Sequence, residues 1–415
     1  MSGKDISMVG FERRTSVDKA WHWLSEHCSP LASESVPLEG AAGRVLAENV
    51  VSPCNVPGFQ RAMMDGFAAQ SQDIQGATDL SPIRLRLVGE AWPGRAVEAR
   101  VGGGDAVQVM TGAPMPDGAD VVVPVEMAER RTDSAGEQEV VEVAAPLPAG
   151  KHVGQVGEDI ARGEVVLGKG RRLRPQDLGV LSSIGCPEAP VVRRPRVRLC
   201  MTGNELLPAG SVPRDFQITD ANSPLLRPLI ERDGGECLFD GITQDDPEAI
   251  LEVLQQPADV ILISGGSSVG AEDYAPRLIR ENGELPIHGI SMRPSSPAGL
   301  GKLGQAFVFL LPGNPVSCLC AYDFFAGRAI RALSGRSMSW PYATLSAPLI
   351  HDLSSKLGRL DYARVKLVDG QVEPLAISGA SVLSSTTKAD GFVLVQENVE
   401  GFAAGTTVEV FLYES

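Results

Sequence analysis

The sequence runs to 415 residues with 43% apolar side chains, enough to bury several cores and too long for one, so two to four domains are expected. Its 52 acidic against 37 basic side chains give a net charge of −15, a field that repels polyanions and argues against nucleic acid as a partner. Seven scattered cysteines without a CxxC pair read as reduced thiols, and no apolar run approaches the ~18 residues a bilayer requires, so a cytoplasmic protein with no membrane partner is expected.

In chain order, Val17, Ala20, Trp21, Leu24 and Cys28 recur at helical spacing behind Thr15-Ser16 and predict an amphipathic helix over about 15–28. From about 31 to 194 the character is mainly β. Short β-branched runs at 84–88, 106–110, 121–125, 139–143 and 164–167 alternate with Gly and Pro turns.

Past Pro195 the pattern becomes strand, loop, helix. A strand is predicted at 196–201, then a helix capped by Ser223 with Pro224 in its first turn and ended by Gly234-Gly235. A strand at 236–240 and a helix opened by Asp246-Pro247 follow. Next come a continuous apolar strand at 259–263 and a helix over about 273–282. A second apolar strand at 306–311 leads through Pro312-Gly313-Asn314-Pro315 into a long helix ending near Gly335. Alternation of this kind predicts an α/β region with a doubly wound parallel sheet. From Pro341 short strands return at 363–367, 391–395 and 407–412, and a small C-terminal β-barrel or sandwich is expected. The division expected is 12–194, 195–337 and 338–415.

Ligands of open parallel sheets bind where strands end and helices begin, because free backbone amides and helix N-termini converge there. The loops predicted at that edge carry Thr202-Gly203-Asn204-Glu205, Thr243-Gln244-Asp245-Asp246, Ser264-Gly265-Gly266-Ser267-Ser268 with Asp273, and Pro312 to Ser317. The glycines of the third loop allow backbone N–H groups to approach phosphate oxygens, although this loop is neither a Walker loop nor a GxGxxG fingerprint. Glu205, Asp245 and Asp273 lie on three loops of one edge, a donor set suited to a hard cation such as Mg2+. Asp246, before Pro247, reads as a helix cap, and the choice between Asp245 and Asp246 as cation ligand stays open. HExxH is absent and the five histidines are widely dispersed, which argues against a zinc hydrolase and a serine triad. In the β region, Asp65 sits in a tight turn and Thr111 among rigid turns, each also readable as an ordinary turn residue.

Taken together, these stretches resemble the molybdopterin molybdenumtransferase family (MoeA and the E domain of gephyrin-like proteins). The matching segments are 56–59 with 64–68, 110–119 with 121–126, 157–160, 202–206, 245–247, 264–274, 311–317 and 358–364, in the family's order over nearly the whole chain. The resemblance implies a homodimer whose cleft lies between a molybdopterin-adenylyltransferase-like sheet and the partner subunit's β module. It also implies a reaction in which molybdate enters adenylylated molybdopterin, releasing AMP with help from Mg2+. Asp245 and Asp273 would hold the cation and Glu205 would orient water or pterin. Thr202, Gly203, Gly265, Gly266, Ser268, Pro312, Gly313, Asn314 and Ser317 would cradle the substrate, with Asp65, Thr111 and Asp159 contributing across the cleft.

The chain departs from the family in two places. A lysine-rich turn is replaced by Arg293-Pro294-Ser295-Ser296-Pro297, so Arg293, Ser295, Ser296 and Arg364 are the residues expected to bind the oxyanion. Val153-Gly154-Gln155-Val156 stands where basic residues often precede the Gly-Glu-Asp segment. Alternative readings are a tungstate-inserting or other phosphoanhydride-cleaving relative on the same scaffold, and a non-catalytic molybdopterin carrier or scaffold. Molybdopterin-adenylyltransferase and acceptor molybdoenzymes are the protein partners the resemblance implies.

Overall fold

The computed structural model describes residues 14–132, 138–266, 274–376 and 379–413. The chain divides into two compact units, one of residues 1–35, 43–47 and 190–415, the other of 36–42 and 48–189.

In the first unit a seven-stranded sheet is built on the apolar runs seen in the sequence. Glu236–Leu238, Arg196–Thr202, Val260–Ser264 and Ala306–Leu311 lie side by side and parallel, with Ile242–Thr243 pairing to Met201 and Thr202. Every residue of Val260–Ser264 and Ala306–Leu311 is buried, which is why these strands read as continuous apolar runs. Side chains alternate between two cores. Val197, Leu199, Met201, Leu262, Phe307 and Phe309 pack with the helices Val17–His27, Asn222–Arg232 and the chain from Pro315 onward. Cys200, Ile261, Ile263, Val308 and Leu310 pack with Pro247–Gln255 and Tyr274–Asn282 on the other face. Helices therefore cover both faces of the sheet.

The sheet is mixed rather than wholly parallel. Gly299–Leu303 and Glu284–His288 add an antiparallel edge beyond Ala306–Leu311. The sequence reading assigns no strand there, and its glycines are what close packing requires: a Cβ on Gly301 would lie 2.2 Å from the Glu284 carbonyl oxygen. Helix caps are corrected at one point. Asp220, not Ser223, caps Asn222–Arg232, accepting from the N–H groups of Asn222 (2.9 Å) and Ser223 (3.0 Å). Asp246 caps Pro247–Gln255 as expected, taking the N–H groups of Glu248 and Ala249. The last long helix runs Pro315–Ala321, passes through a π-helical stretch at Tyr322–Ala326, and resumes as Gly327–Leu333.

The same unit holds a six-stranded, mainly antiparallel sheet of Met292–Arg293, Leu360–Val368, Gln371–Ala376, Gly391–Val395, Thr407–Leu412 and Thr344–Pro348, with its own valine-rich core. A single bridge from Leu349 to Val372 links its two ends. Met292–Arg293 pairs with Leu360 and Asp361, so the turn at 293–297 is anchored on this sheet.

The second unit is built around a six-stranded sheet ordered Val121–Pro124, Gly66–Ala69, Asp105–Val109, Ile83–Ala91, Glu139–Val143, Ala128–Thr132. Alternate residues of these strands fill two small cores, and two short ladders flank the sheet at Val50–Val51 with Val165–Leu167 and at Arg61–Ala62 with Val153–Gly154.

Candidate functional site

Four loops meet at the carboxyl edge of the seven-stranded sheet. Strand Arg196–Thr202 ends in a buried Thr202, and the parallel pairing of Ile242–Thr243 to it sets the Asp245 loop beside the Glu205 loop. There the Asp245 N–H donates to Asn204 Oδ1 (3.3 Å). Glu205 folds its carboxylate back over Gly203, where a Cβ would stand 2.7 Å from Oε2. Gly265 is the tightest point: its φ is +101°, and a Cβ would lie 2.1 Å from the Thr202 carbonyl oxygen. Only glycine fits, so this loop is steric in origin as well as a source of backbone donors. Gly313 packs against it, with its Cβ position 3.7 Å from Gly265 Cα.

Behind these loops Ser264 Oγ lies 3.8 Å from Cys318 Sγ. Burial pushes the Cys318 thiol up to about 12, the Ser264 hydroxyl lowering it and Asp220 raising it by smaller amounts, so a neutral thiol backs the cradle and no nucleophile is offered there.

Beside this edge a cavity of about 340 Å3 opens between the 292–297 turn and the start of the Pro315 helix, lined in part by Arg293, Ser296, Pro312, Asn314 and Ser317. It thus joins the residues expected to bind the oxyanion to those expected to cradle the substrate. Gly379 and Ala380 complete its wall; the Ala380 carbonyl accepts from Val316 N–H (3.0 Å), and Ser381 donates to Asn314 Oδ1 (2.8 Å).

The four oxyanion candidates take different positions. Ser296 Oγ is buried with no hydrogen-bond partner among the described residues. Arg293 Nη2 lies 2.6 Å from Asp361 Oδ2, and its side chain keeps 31% exposure. Ser295 is already engaged: it adopts φ +83° and donates its hydroxyl to the Ser317 carbonyl (2.5 Å). Arg364 is fully buried on strand Leu360–Val368, with Nη2 3.9 Å from the Cβ position of Gly379, so it stands behind the wall rather than on it.

Asp361, which no motif singled out as a site residue, organises this end. It is fully buried, accepts from Arg293 and Ser355 (2.7 Å) on Oδ2, and pairs with Arg359 (3.0 Å) through Oδ1. One carboxylate thus faces two guanidinium groups, which leaves a local excess of positive charge beside the cavity of an otherwise acidic protein.

Asp65, Thr111 and Asp159 belong to the second unit. Thr111 donates both its N–H and its hydroxyl to Asp65 Oδ1, each at 2.7 Å. These donors, the backbone one foremost, hold the Asp65 carboxyl below its ordinary value. Asp159 is exposed, while its neighbour Glu158 accepts from the Gln155 N–H (2.8 Å) and pairs with Arg61 (3.2 Å). Asp273 and Ser268 lie outside the described residues, and among the described residues no group of three or more His, Cys, Asp or Glu side chains converges as a metal cage.

With this geometry in view, comparison with known proteins is informative. The MoeA N-terminal region (domain I and II) matches residues 15–185, a probable molybdopterin binding domain matches 199–332, and the MoeA C-terminal region (domain IV) matches 346–413. The molybdopterin molybdenumtransferase of Haemophilus influenzae is 31% identical over 393 residues, covering 92% of this chain and 94% of that protein. The enzyme of the same name from Staphylococcus aureus MRSA252 is 29% identical over 395 residues, covering 93% of each. The crystal structure of the MoeA protein of Pyrococcus horikoshii superposes with a TM-score of 0.83 at 32% identity, over 97% of this chain and 100% of that one.

Proposed function

This chain belongs to the MoeA family of molybdopterin molybdenumtransferases, transferases of molybdenum cofactor biosynthesis, and on that premise we propose that it inserts molybdate into adenylylated molybdopterin with release of AMP. The observation that carries the reading is the 340 Å3 cavity, which combines a cationic Arg293, the unpartnered Ser296 hydroxyl and the Asn314–Ser317 helix start. A tetrahedral dianion needs donors and positive charge in a small space, and this cavity supplies both beside the glycine loops that would carry the phosphates.

Mg2+ fits the donor chemistry of the edge. Glu205 and Asp245 sit on neighbouring loops, and this ion is commonly bound by one or two carboxylates while keeping several waters. In this reading Asp245 and Asp273 hold it, since Asp246 is occupied as a helix cap, and the bound ion would neutralise charge on phosphate oxygens. Asp65, Thr111 and Asp159 act on the substrate from the partner subunit of a homodimer. The regions 12–194, 195–337 and 338–415 serve as separate functional parts, a division supported by the matched ranges 15–185, 199–332 and 346–413. Among the described residues no helix is long and apolar enough to cross a membrane; we place the enzyme in the cytoplasm, where molybdopterin-adenylyltransferase would supply its substrate and acceptor molybdoenzymes would take its product.

The test is direct. Purified protein is incubated with adenylylated molybdopterin, Mg2+ and either molybdate or tungstate, and AMP release is followed. Release that depends on Mg2+ and is faster with molybdate is the expected result. Faster release with tungstate identifies the tungstate-inserting relative, and ligand binding without release identifies a carrier.

A further inference from the structure

Asn222 opens the helix Asn222–Arg232 and is 8% exposed. Its side chain reaches two segments far away in sequence. Nδ2 donates to Ser264 Oγ at 2.9 Å and to the Gly313 carbonyl at 2.8 Å. The orientation of the amide follows from chemistry, because a carbonyl oxygen only accepts, so the atom facing Gly313 is the NH2 group. Both donors of one amide are therefore spent on joining the loop that begins at Ser264 to the Pro312-Gly313-Asn314 loop. These are the loops in which the Cβ position of Gly313 lies 3.7 Å from Gly265 Cα. Asn222 itself is held by Asp220, which accepts from its N–H at 2.9 Å. Its Oδ1 is buried and accepts no hydrogen bond among the described residues, so shape and the two donors alone keep the amide in place.

We propose that Asn222 is a positioning residue that latches the Ser264–Gly266 loop to the Gly313 loop and so sets the distance between the phosphate-binding backbone and the cavity at Asn314. The proposal deepens the functional reading above and rests on it for what the latched loops bind, although the latch itself does not. Ser264 adds no competing role, since among the described residues its hydroxyl accepts from the Asn222 amide and otherwise faces the neutral Cys318 thiol.

Three proteins test it: wild type, Asn222→Ala and Asn222→Asp. Hydrogen exchange reads the latch without any ligand. In Asn222→Ala, peptides spanning 264–266 and 312–314 should both exchange about tenfold faster than in wild type, while the Val260–Ile263 core stays protected. Asn222→Asp presents an acceptor to the Gly313 carbonyl when ionised and a donor when protonated. Among the described residues the titratable groups around that position are Asp220 and Cys318, and every other titratable group is carried by wild type too. Dividing each value by that of wild type at the same pH therefore leaves only the new carboxyl.

AMP affinity of Asn222→Asp, measured by calorimetry, should be at least about tenfold weaker than wild type at pH ~8 and recover as the pH falls toward ~5.5. Asn222→Ala should show no such recovery. Unchanged exchange in either loop of Asn222→Ala overturns the latch. Failure of wild type to bind AMP while both loops loosen in Asn222→Ala overturns the functional reading and leaves the latch standing. Should Asn222→Ala prove unfolded, the pH recovery of Asn222→Asp decides alone, and a flat ratio then overturns the proposal.

Discussion

Two carboxylates, one in each unit, receive hydrogen bonds in opposite circumstances. Asp361 is wholly buried and surrounded by Arg293, Arg359 and Ser355. Asp65 is exposed and takes two donors from the single residue Thr111. The buried carboxylate neutralises groups that would otherwise be uncompensated charges, so its main work is to hold structure. The exposed one is oriented and kept ionised at almost no desolvation cost, with both Thr111 donors on Oδ1, so it is free to act on a ligand. Similar hydrogen-bond counts thus hide different roles, and burial separates them.

The largest effect expected is on stability. Asp361→Ala strands two guanidinium groups and should cost about 3–5 kcal/mol in urea unfolding. A cost below ~1 kcal/mol would erase the contrast, because the buried carboxylate would then be no more structural than the exposed one. Asp65→Asn comes next and should do the reverse. Its unfolding midpoint stays at the wild-type value while AMP release falls on the order of 10²-fold. The pH dependence has a definite sign. Because the folded Asp65 value lies below the ordinary ~3.9, the contribution of its charge is fully present above that value and is lost only as the pH falls through the depressed one. The wild-type to mutant activity ratio should therefore be flat from about pH 5 to 9 and shrink only in stronger acid. A ratio that moves near neutrality would assign the catalytic charge to another group.

A smaller effect belongs to Arg293, which stands between the two circumstances, paired with Asp361 yet partly exposed. Arg293→Ala should raise the molybdate concentration for half-maximal AMP release about tenfold, and Ser296→Lys should lower it. Should neither move, the oxyanion binds elsewhere and the cavity is only a seam. The smallest effect is expected for Ser295→Gly. Relief of the φ +83° backbone, worth ~1 kcal/mol, nearly offsets the lost bond to the Ser317 carbonyl, and stability should stay within ~1 kcal/mol of wild type.

Much of this architecture was legible in the residues. Ala306–Leu311, Gly391–Val395, Glu139–Val143 and Thr407–Leu412 coincide with the runs predicted from alternation or continuous burial. Asp246 declared itself as a cap through Pro247. The antiparallel edge was not legible, because Gly299 and Gly301 make a strand look like a loop when the close neighbour that demands them is out of view. Among site residues, the loops could be named because strand-to-helix junctions carry a local signature. Asn222 and Asp361 could not. Their partners lie 42, 91 and 68 residues away, and an asparagine at a helix start or an aspartate in a strand has an ordinary local explanation.

Sequence alone therefore determined the elements with a local signature, their order and the family, since periodicity, caps and turn residues act over a few neighbours and leave their mark in the chain. Only the tertiary structure decided which hydroxyl is free and which is spent, as with Ser296 and Ser295, and which arginine reaches the cavity wall, as with Arg293 and Arg364. The reason is that a polar side chain's role depends on what burial removes from water and which distant partner then replaces it, and neither is written in its own neighbourhood.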